Sequence, residues 1–138
     1  MEKYESKQGR ILRPASMVYD ALSDFSRFTP ILADKVEGWE ATEDTCSFRV
    51  QGFTMNLRIV EREENKLIKI TGDEGSPLDF TIWMQLAEAA PADTRIRLVL
   101  HAKLNMMMKM MIGKKLQSGL DQIVDKIAEA FNNAPLPS

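Results

Sequence analysis

Apolar residues in this chain follow two different periods, and the switches between them mark out a helical opening, a long strand region and a helical close. Met17, Val18, Ala21, Leu22 and Phe25 recur at helical spacing behind Pro14, which fits a first helical turn because its missing N–H has no partner to lose there. Residues about 3–12 carry little Gly or Pro and predict a first, edge-type strand. A second short helical or irregular piece runs from Ser26 to Ala33, interrupted by Pro30.

From residue 35 to 105 the period becomes two. Turn-like clusters at Glu43-Asp44, Gln51-Gly52, Glu63-Glu64-Asn65, Gly72 to Pro77 and Ala90 to Asp93 divide this stretch into about six strands with short connections, an antiparallel meander. Three strands alternate clearly. Phe53, Met55, Leu57 and Ile59 oppose Thr54, Asn56 and Arg58; Leu78, Phe80, Ile82, Met84 and Leu86 oppose Asp79, Thr81 and Gln85. Ile96, Leu98, Leu100, Ala102 and Leu104 oppose Arg95, Arg97, His101 and Lys103. Such alternation means one wet face and one buried face, so something must cover the sheet on one side.

The C-terminal helix is the candidate cover. Asn105 is a good N-cap, and Leu116, Leu120, Ile123, Val124, Ile127 and Phe131 form one stripe opposite Asp121, Gln122, Asp125 and Glu129. Five of the nine methionines crowd its start, at Met106, Met107, Met108, Met110 and Met111. At 3.6 residues per turn, Met106 and Met108 flank the stripe, Ile112 lies on it and Lys109 falls in its middle, whereas Met107, Met110 and Met111 fall on the polar side. Either the helix starts later, near Met110, and the cluster is a loop with surface methionines, or its first turns form a lip at an opening rather than a wall, with Met107, Met110 and Met111 exposed and Met108 and Ile112 turned inward. Thioether binding of copper(I) would be an alternative, but no histidine or cysteine stands nearby to support it.

The segment Ile11-Leu12-Arg13-Pro14-Ala15-Ser16-Met17-Val18-Tyr19-Asp20-Ala21-Leu22-Ser23-Asp24-Phe25-Ser26-Arg27-Phe28 resembles the opening strand-to-helix phrase of the START-like superfamily, also called SRPBCC, which includes birch-pollen-allergen-like and polyketide cyclase/lipid-transport proteins. In that phrase a small residue and proline follow the first strand, and an Ala-Leu-Ser-Asp-Phe run ends the first helix. The resemblance covers essentially the whole chain. It implies an α+β helix-grip fold: a curved seven-stranded antiparallel sheet wrapped around a long C-terminal helix, with two short helices between the first and second strands. Residues 1–134 would form one domain, with 135–138 as a tail. It also implies an apolar cavity between sheet and last helix, which different members use for lipids, sterols, quinones or polyketides. The fold alone selects none of these.

Candidate lining follows from the alternation. Phe48, Met55, Leu57, Phe80, Ile82, Met84, Leu98 and Leu100 point inward, Trp39 stands at the rim end, and Met108, Ile112 and Leu116 join from the helix. The plainer alternative is that these residues close-pack as core. Tyr4 and Tyr19 are the candidates for a polar contact to ligand. The leading expectation is binding or transport of a small hydrophobic ligand of the lipid, isoprenoid or aromatic polyketide class. A cyclase/aromatase-type enzyme is the alternative; it would need a positioned acid or base in the pocket, and no catalytic residue can be assigned. A third class is a protein-interaction module, like the superfamily's chaperone partners and ribosome-associated factors. Trp83, on the nominally wet face, marks the candidate homodimer or protein contact.

Composition narrows the field. A net charge of −2 gives no general attraction to nucleic acid or anionic membrane. His101 is the one histidine and shares a face with Arg97 and Lys103, so it reads as solvent-facing, and histidine triads and histidine-rich metal sites are excluded. Cys46, the one cysteine, shares a face with Phe48 and Val50 and reads as a small buried hydrophobe. Glu61, Arg62, Glu63 and Glu64 read as a solvated turn, and Gly72-Asp73-Glu74-Gly75 carries acids where a phosphate cradle needs donors. No cofactor or metal is expected. With no secretory pattern at Met1-Glu2-Lys3-Tyr4-Glu5 and no membrane-spanning apolar run, a cytoplasmic protein is the expectation.

Overall fold

A computed structural model describes residues 2–34, 36–50, 52–73 and 79–134. Its elements are β1 (Glu2–Glu5), β2 (Gly9–Ile11), α1 (Ala15–Leu22), a 3₁₀ turn (Phe25–Phe28), α2 (Thr29–Leu32), β3 (Glu37–Ala41), β4 (Thr45–Val50), β5 (Phe53–Glu63), β6 (Leu67–Gly72), β7 (Phe80–Ala90), β8 (Asp93–Ala102) and α3 (Met106–Asn133). The strands form one antiparallel sheet in the order β1-β8-β7-β6-β5-β4-β3, with β2 also on β8. Leu78, residues 74–77 of the expected turn, Gln51, the tail 135–138, and the side chains of Val50 and Phe53 lie outside the described residues.

The edge strand expected over residues 3–12 is broken in two. β1 pairs with Val99–Ala102 and β2 with Thr94–Ile96, both on the same side of β8. Ser6 fills the gap: its N–H donates to the Leu98 carbonyl at 2.8 Å, and its hydroxyl accepts the Leu98 N–H at 2.8 Å. A side chain thus supplies a ladder bond that the kinked backbone gives up, and buried Ser6 is fully partnered. With β1 and β2 taken as one interrupted strand, the sheet has the expected seven.

Two helix starts differ in detail from expectation. Pro14 is the N-cap of α1 rather than a first-turn residue, and the Ala15 N–H finds Glu88 of β7 at 3.4 Å. Pro30 sits in the first turn of α2 and opens that helix rather than interrupting it.

A bulge in β5 produces a larger correction. The register with β6 shifts between Ile59 and Glu61, leaving Val60 49% exposed. Beyond the shift Arg62 pairs with Ile68, a fully buried inner-face residue. Arg62 is therefore not part of a solvated turn. Its guanidinium donates to the Ser23 carbonyl at the end of α1 (2.8 and 3.2 Å) and to Asp44 in the β3–β4 turn at 2.7 Å. One strand residue thus satisfies a carbonyl that α1 leaves without a helical partner.

α3 is capped as predicted, with Asn105 accepting the Met108 N–H at 2.8 Å. It lies against β2, β1 and β8. Two glycines permit the close approach. A Cβ on Gly9 would stand 2.5 Å from Val124 Cγ1, and one on Gly113 would stand 3.1 Å from the Tyr4 hydroxyl. Polar ties follow the same edge: Lys7 N–H to Asp121 (2.6 Å), Gln117 to the Glu5 carbonyl (2.5 Å), and Lys109 to Glu2 (3.2 Å). Near the end, Asn132 accepts the Leu12 N–H (2.7 Å) and donates to the Arg10 carbonyl (3.1 Å). Arg13 donates to the carbonyls of Asn132 (3.3 Å) and Ala134 (2.8 Å), closing the helix C-terminus. Leu120 and Val124 are buried and Leu116, Ile127 and Phe131 half-buried, but Ile123 is 45% exposed and leaves the expected stripe.

Candidate functional site

Inner-face side chains of the sheet fall into two populations. Around α1 and the second half of α3 they are sealed: Ile11, Ile68 and Ile96 have at most 1% exposure, as do Val18 and Leu22 of α1 and Val124 of α3. Toward β4, β5 and the middle of β7 they are not. Phe48, Met55, Leu57 and Ile82 pack against the core yet keep part of their surface open.

Ile82 is the telling case. It lies on central strand β7, paired with Ile70 on one side and Leu100 on the other, and both neighbours are buried. Flanking strands cover its edges, so solvent reaches it from above the inner face. The inner face is therefore left open over the middle of the sheet, a candidate hollow. Its rim on the β3–β4 side is aromatic: Phe48 pairs with Met55 across the strands, and its ring lies 6.1 Å from that of Trp39. Trp39 is held in turn by an indole N–H bond to Thr29 Oγ1 at 2.9 Å. On the helix, half-buried Leu116 packs against the core, and half-buried Ile112 and Met108 precede it at i−4 and i−8 on the same side.

The candidate lining is thus only partly gathered into the hollow. Trp39, Phe48, Met55, Leu57, Ile82, Met108, Ile112 and Leu116 each keep part of their surface open. Phe80, Met84, Leu98 and Leu100 are 2–7% exposed and pack as core. The Tyr4 hydroxyl lies beside Gly113, and Tyr4 and Tyr19 both pack against the core. Cys46 is buried beside Leu57 in the pairing of β4 with β5, and loss of hydration pushes its thiol up to about 12. It is a neutral packing group at ordinary pH.

Two further clefts lie elsewhere. A cleft of about 420 Å³ over β3–β5 is polar, with Glu40, Ser47, Asn56 and the Arg58–Asp73 ion pair in its wall. Another of about 400 Å³ lies by the β5–β6 turn and the start of α1, at Asn65, Lys66 and Glu88. Neither is between sheet and α3. Among the described residues no group of three or more His, Cys, Asp or Glu is arranged to hold a metal.

At the start of α3, Met107, Met110 and Met111 are 71%, 82% and 68% exposed, and Met108 and Ile112 are half-buried. Met106, expected beside the stripe, is instead 80% exposed at the helix's first position. Lys109, expected in the middle of the stripe, escapes burial by reaching Glu2 on β1.

On the outer face, Trp83 meets the His101 ring edge-on at 4.6 Å with the Lys69 ammonium 5.7 Å from its centroid. Both residues are half-buried, each covering part of the other, so His101 is less open to solvent than expected.

The architecture has solved counterparts. Norcoclaurine synthase from Thalictrum flavum, in complex with dopamine and hydroxybenzaldehyde, superposes with a TM-score of 0.76 over 99% of this chain and 89% of its own, at 10% identity. The Aha1 dimer from Colwellia psychrerythraea gives 0.71 over 96% and 98%, at 14% identity. A protein from Mesorhizobium loti gives 0.72 over 98% and 100%, also at 14%. The fold is the helix grip. No protein-family model matches the chain, and no curated protein matches it in sequence. Among the described residues no helix is long and apolar enough to cross a membrane.

Proposed function

We propose that this helix-grip protein binds a small apolar molecule in the hollow bordered by Phe48, Met55, Leu57, Ile82 and Leu116. The observation that carries this reading is the open surface of Ile82 between two buried neighbours on a central strand. A close-packed interior would seal that position. The bordering side chains are aliphatic, thioether or aromatic, so affinity rests on removing apolar ligand surface from water. Burying about 200 Å² would gain roughly 5 kcal/mol before the costs of immobilisation. The Trp39–Phe48 rim suits a planar ring or polyene as well as an acyl chain. Lipid, isoprenoid and aromatic polyketide are the ligand classes this lining accommodates. That norcoclaurine synthase holds two aromatic molecules on the same fold supports aromatic cargo.

A cyclase-type activity draws no comparable support. Cys46 is the titratable side chain packed beside the hollow's floor, and it stays protonated. Binding and carriage are the reading that the lining favours.

Native mass spectrometry of the purified protein should show retained apolar mass, and N-phenylnaphthylamine should bind with enhanced fluorescence. Ile82→Trp and Leu57→Trp fill the hollow and should abolish both signals while the protein stays folded by circular dichroism. Undiminished probe binding in both variants would place the ligand elsewhere and overturn the reading.

A further inference from the structure

The exposed methionines of α3 form a patterned surface. Met106 and Met110 stand in one i, i+4 row that ends at Lys114, and Met107 and Met111 stand in the adjacent row that ends at Lys115. The four methionines are 68–82% exposed and both lysines are exposed, so the rows form an open ridge without walls. Exposed Lys103 precedes the helix, and no acidic residue occurs between Asp93 and Asp121. The nearest acid on the facing strand, Glu2, is already paired with Lys109. A chain of net charge −2 therefore carries a local face that is both apolar and positive.

We propose that this ridge docks the protein onto the surface of an anionic lipid bilayer. Flexible thioether side chains would enter the headgroup–acyl boundary while Lys103, Lys114 and Lys115 meet the lipid phosphates. Two features favour a bilayer over another occupant. A second copy of this chain, docked ridge to ridge, would set two positive faces against each other, with no acid between Asp93 and Asp121 on either to answer Lys103, Lys114 and Lys115. A ridge also fits a deformable surface, whereas a rigid partner helix is usually received in a groove. Docking would set Met108 and Ile112, which lead down to the hollow, beside the membrane. The docking argument itself does not depend on what the hollow holds.

Flotation with vesicles tests it, using phosphatidylcholine alone and phosphatidylcholine with one-third phosphatidylglycerol. Binding should be at least about tenfold stronger to the anionic vesicles and fall as salt rises. Lys114→Glu with Lys115→Glu should abolish it. Met107→Ser with Met111→Ser should weaken it about tenfold while leaving the melting temperature unchanged, because these side chains are mostly in water. Equal recovery with both vesicle types, no recovery with either, or indifference to both pairs of substitutions overturns the proposal. Concentration-dependent self-association that the methionine substitutions abolish would assign the ridge to a second copy and equally overturn it.

Discussion

Gly9 shows how much of this fold rests on the absence of one methyl group. The space its Cβ would need is occupied by Val124 Cγ1 at 2.5 Å and Ile96 Cγ2 at 3.0 Å. Gly9→Ala should therefore destabilise the protein by about 1–3 kcal/mol in urea unfolding. Adding Val124→Ala should restore part of that loss, because the two changes share one volume. Cys46 makes a different statement at the same scale. Burial raises its folded-state thiol to about 12 from an ordinary value of 9.0, so the unfolded chain releases this proton first as pH rises. Between about pH 9 and 12 the native state binds more protons than the unfolded state at this site, and stability falls with rising pH. Parallel melts should show a shallower alkaline decline for Cys46→Ala than for the parent. Thiol reagents at pH 8 should react at the rate of unfolding. The packing role of Cys46 was legible from its place in an alternating strand, whereas nothing in the sequence marked Gly9 as a contact point.

Secondary-structure elements were most legible where a period ran without interruption. The β7 and β8 alternation survives intact in the register Phe80↔Ala102 through Leu86↔Ile96, because each strand has one face on the core and one in water. It failed across the β5 bulge, where one extra residue reversed the parity and carried Arg62 to the inner face. A charged residue beside Glu61, Glu63 and Glu64 gives no sign of such a reversal. The break between β1 and β2 was hidden for a similar reason, since it depends on a hydroxyl meeting a strand 92 residues away in sequence. Arg62→Met keeps the aliphatic stem but removes the donors that join α1 to the β3–β4 turn. It should cost about 1–3 kcal/mol by leaving the Ser23 carbonyl and Asp44 without their partner. A melting curve of this variant beside Arg58→Met would separate the effect from loss of a surface ion pair, which should be worth under about 1 kcal/mol.

For the molecule as a whole, the helix grip could be read from element order, and a cavity could be expected from the resemblance, but which inner-face residues keep open surface could not. It depends on what α3 leaves uncovered, a relation between distant elements rather than a local pattern. The candidate lining accordingly mixed residues that border open space, such as Met55 and Ile82, with residues sealed as core, such as Leu98. The same arrangement predicts uneven dynamics along α3. Amides from Leu120 to Phe131, near buried Val124 and the Asn132 and Arg13 bonds, should be the slowest to exchange with deuterium. Those from Met110 to Gly113, anchored by a surface ion pair and one tyrosine contact, should exchange faster, and an apolar ligand should narrow the difference.

The attachments of α3 have one further consequence. Those from Glu2, Tyr4, Glu5, Lys7, Gly9, Arg10, Leu12 and Arg13 all belong to the chain's first two strands and their flanks, so they run along a single side of the helix. A rod fastened in that way works as a door on a long hinge rather than as a seesaw. Because a helix with its side chains is about 10–12 Å across, a roll of roughly 20° about its axis would swing the unfastened side chains by about 2 Å. The gap above Ile82 would widen while the latch that Asn132 and Arg13 make at the far end stayed shut.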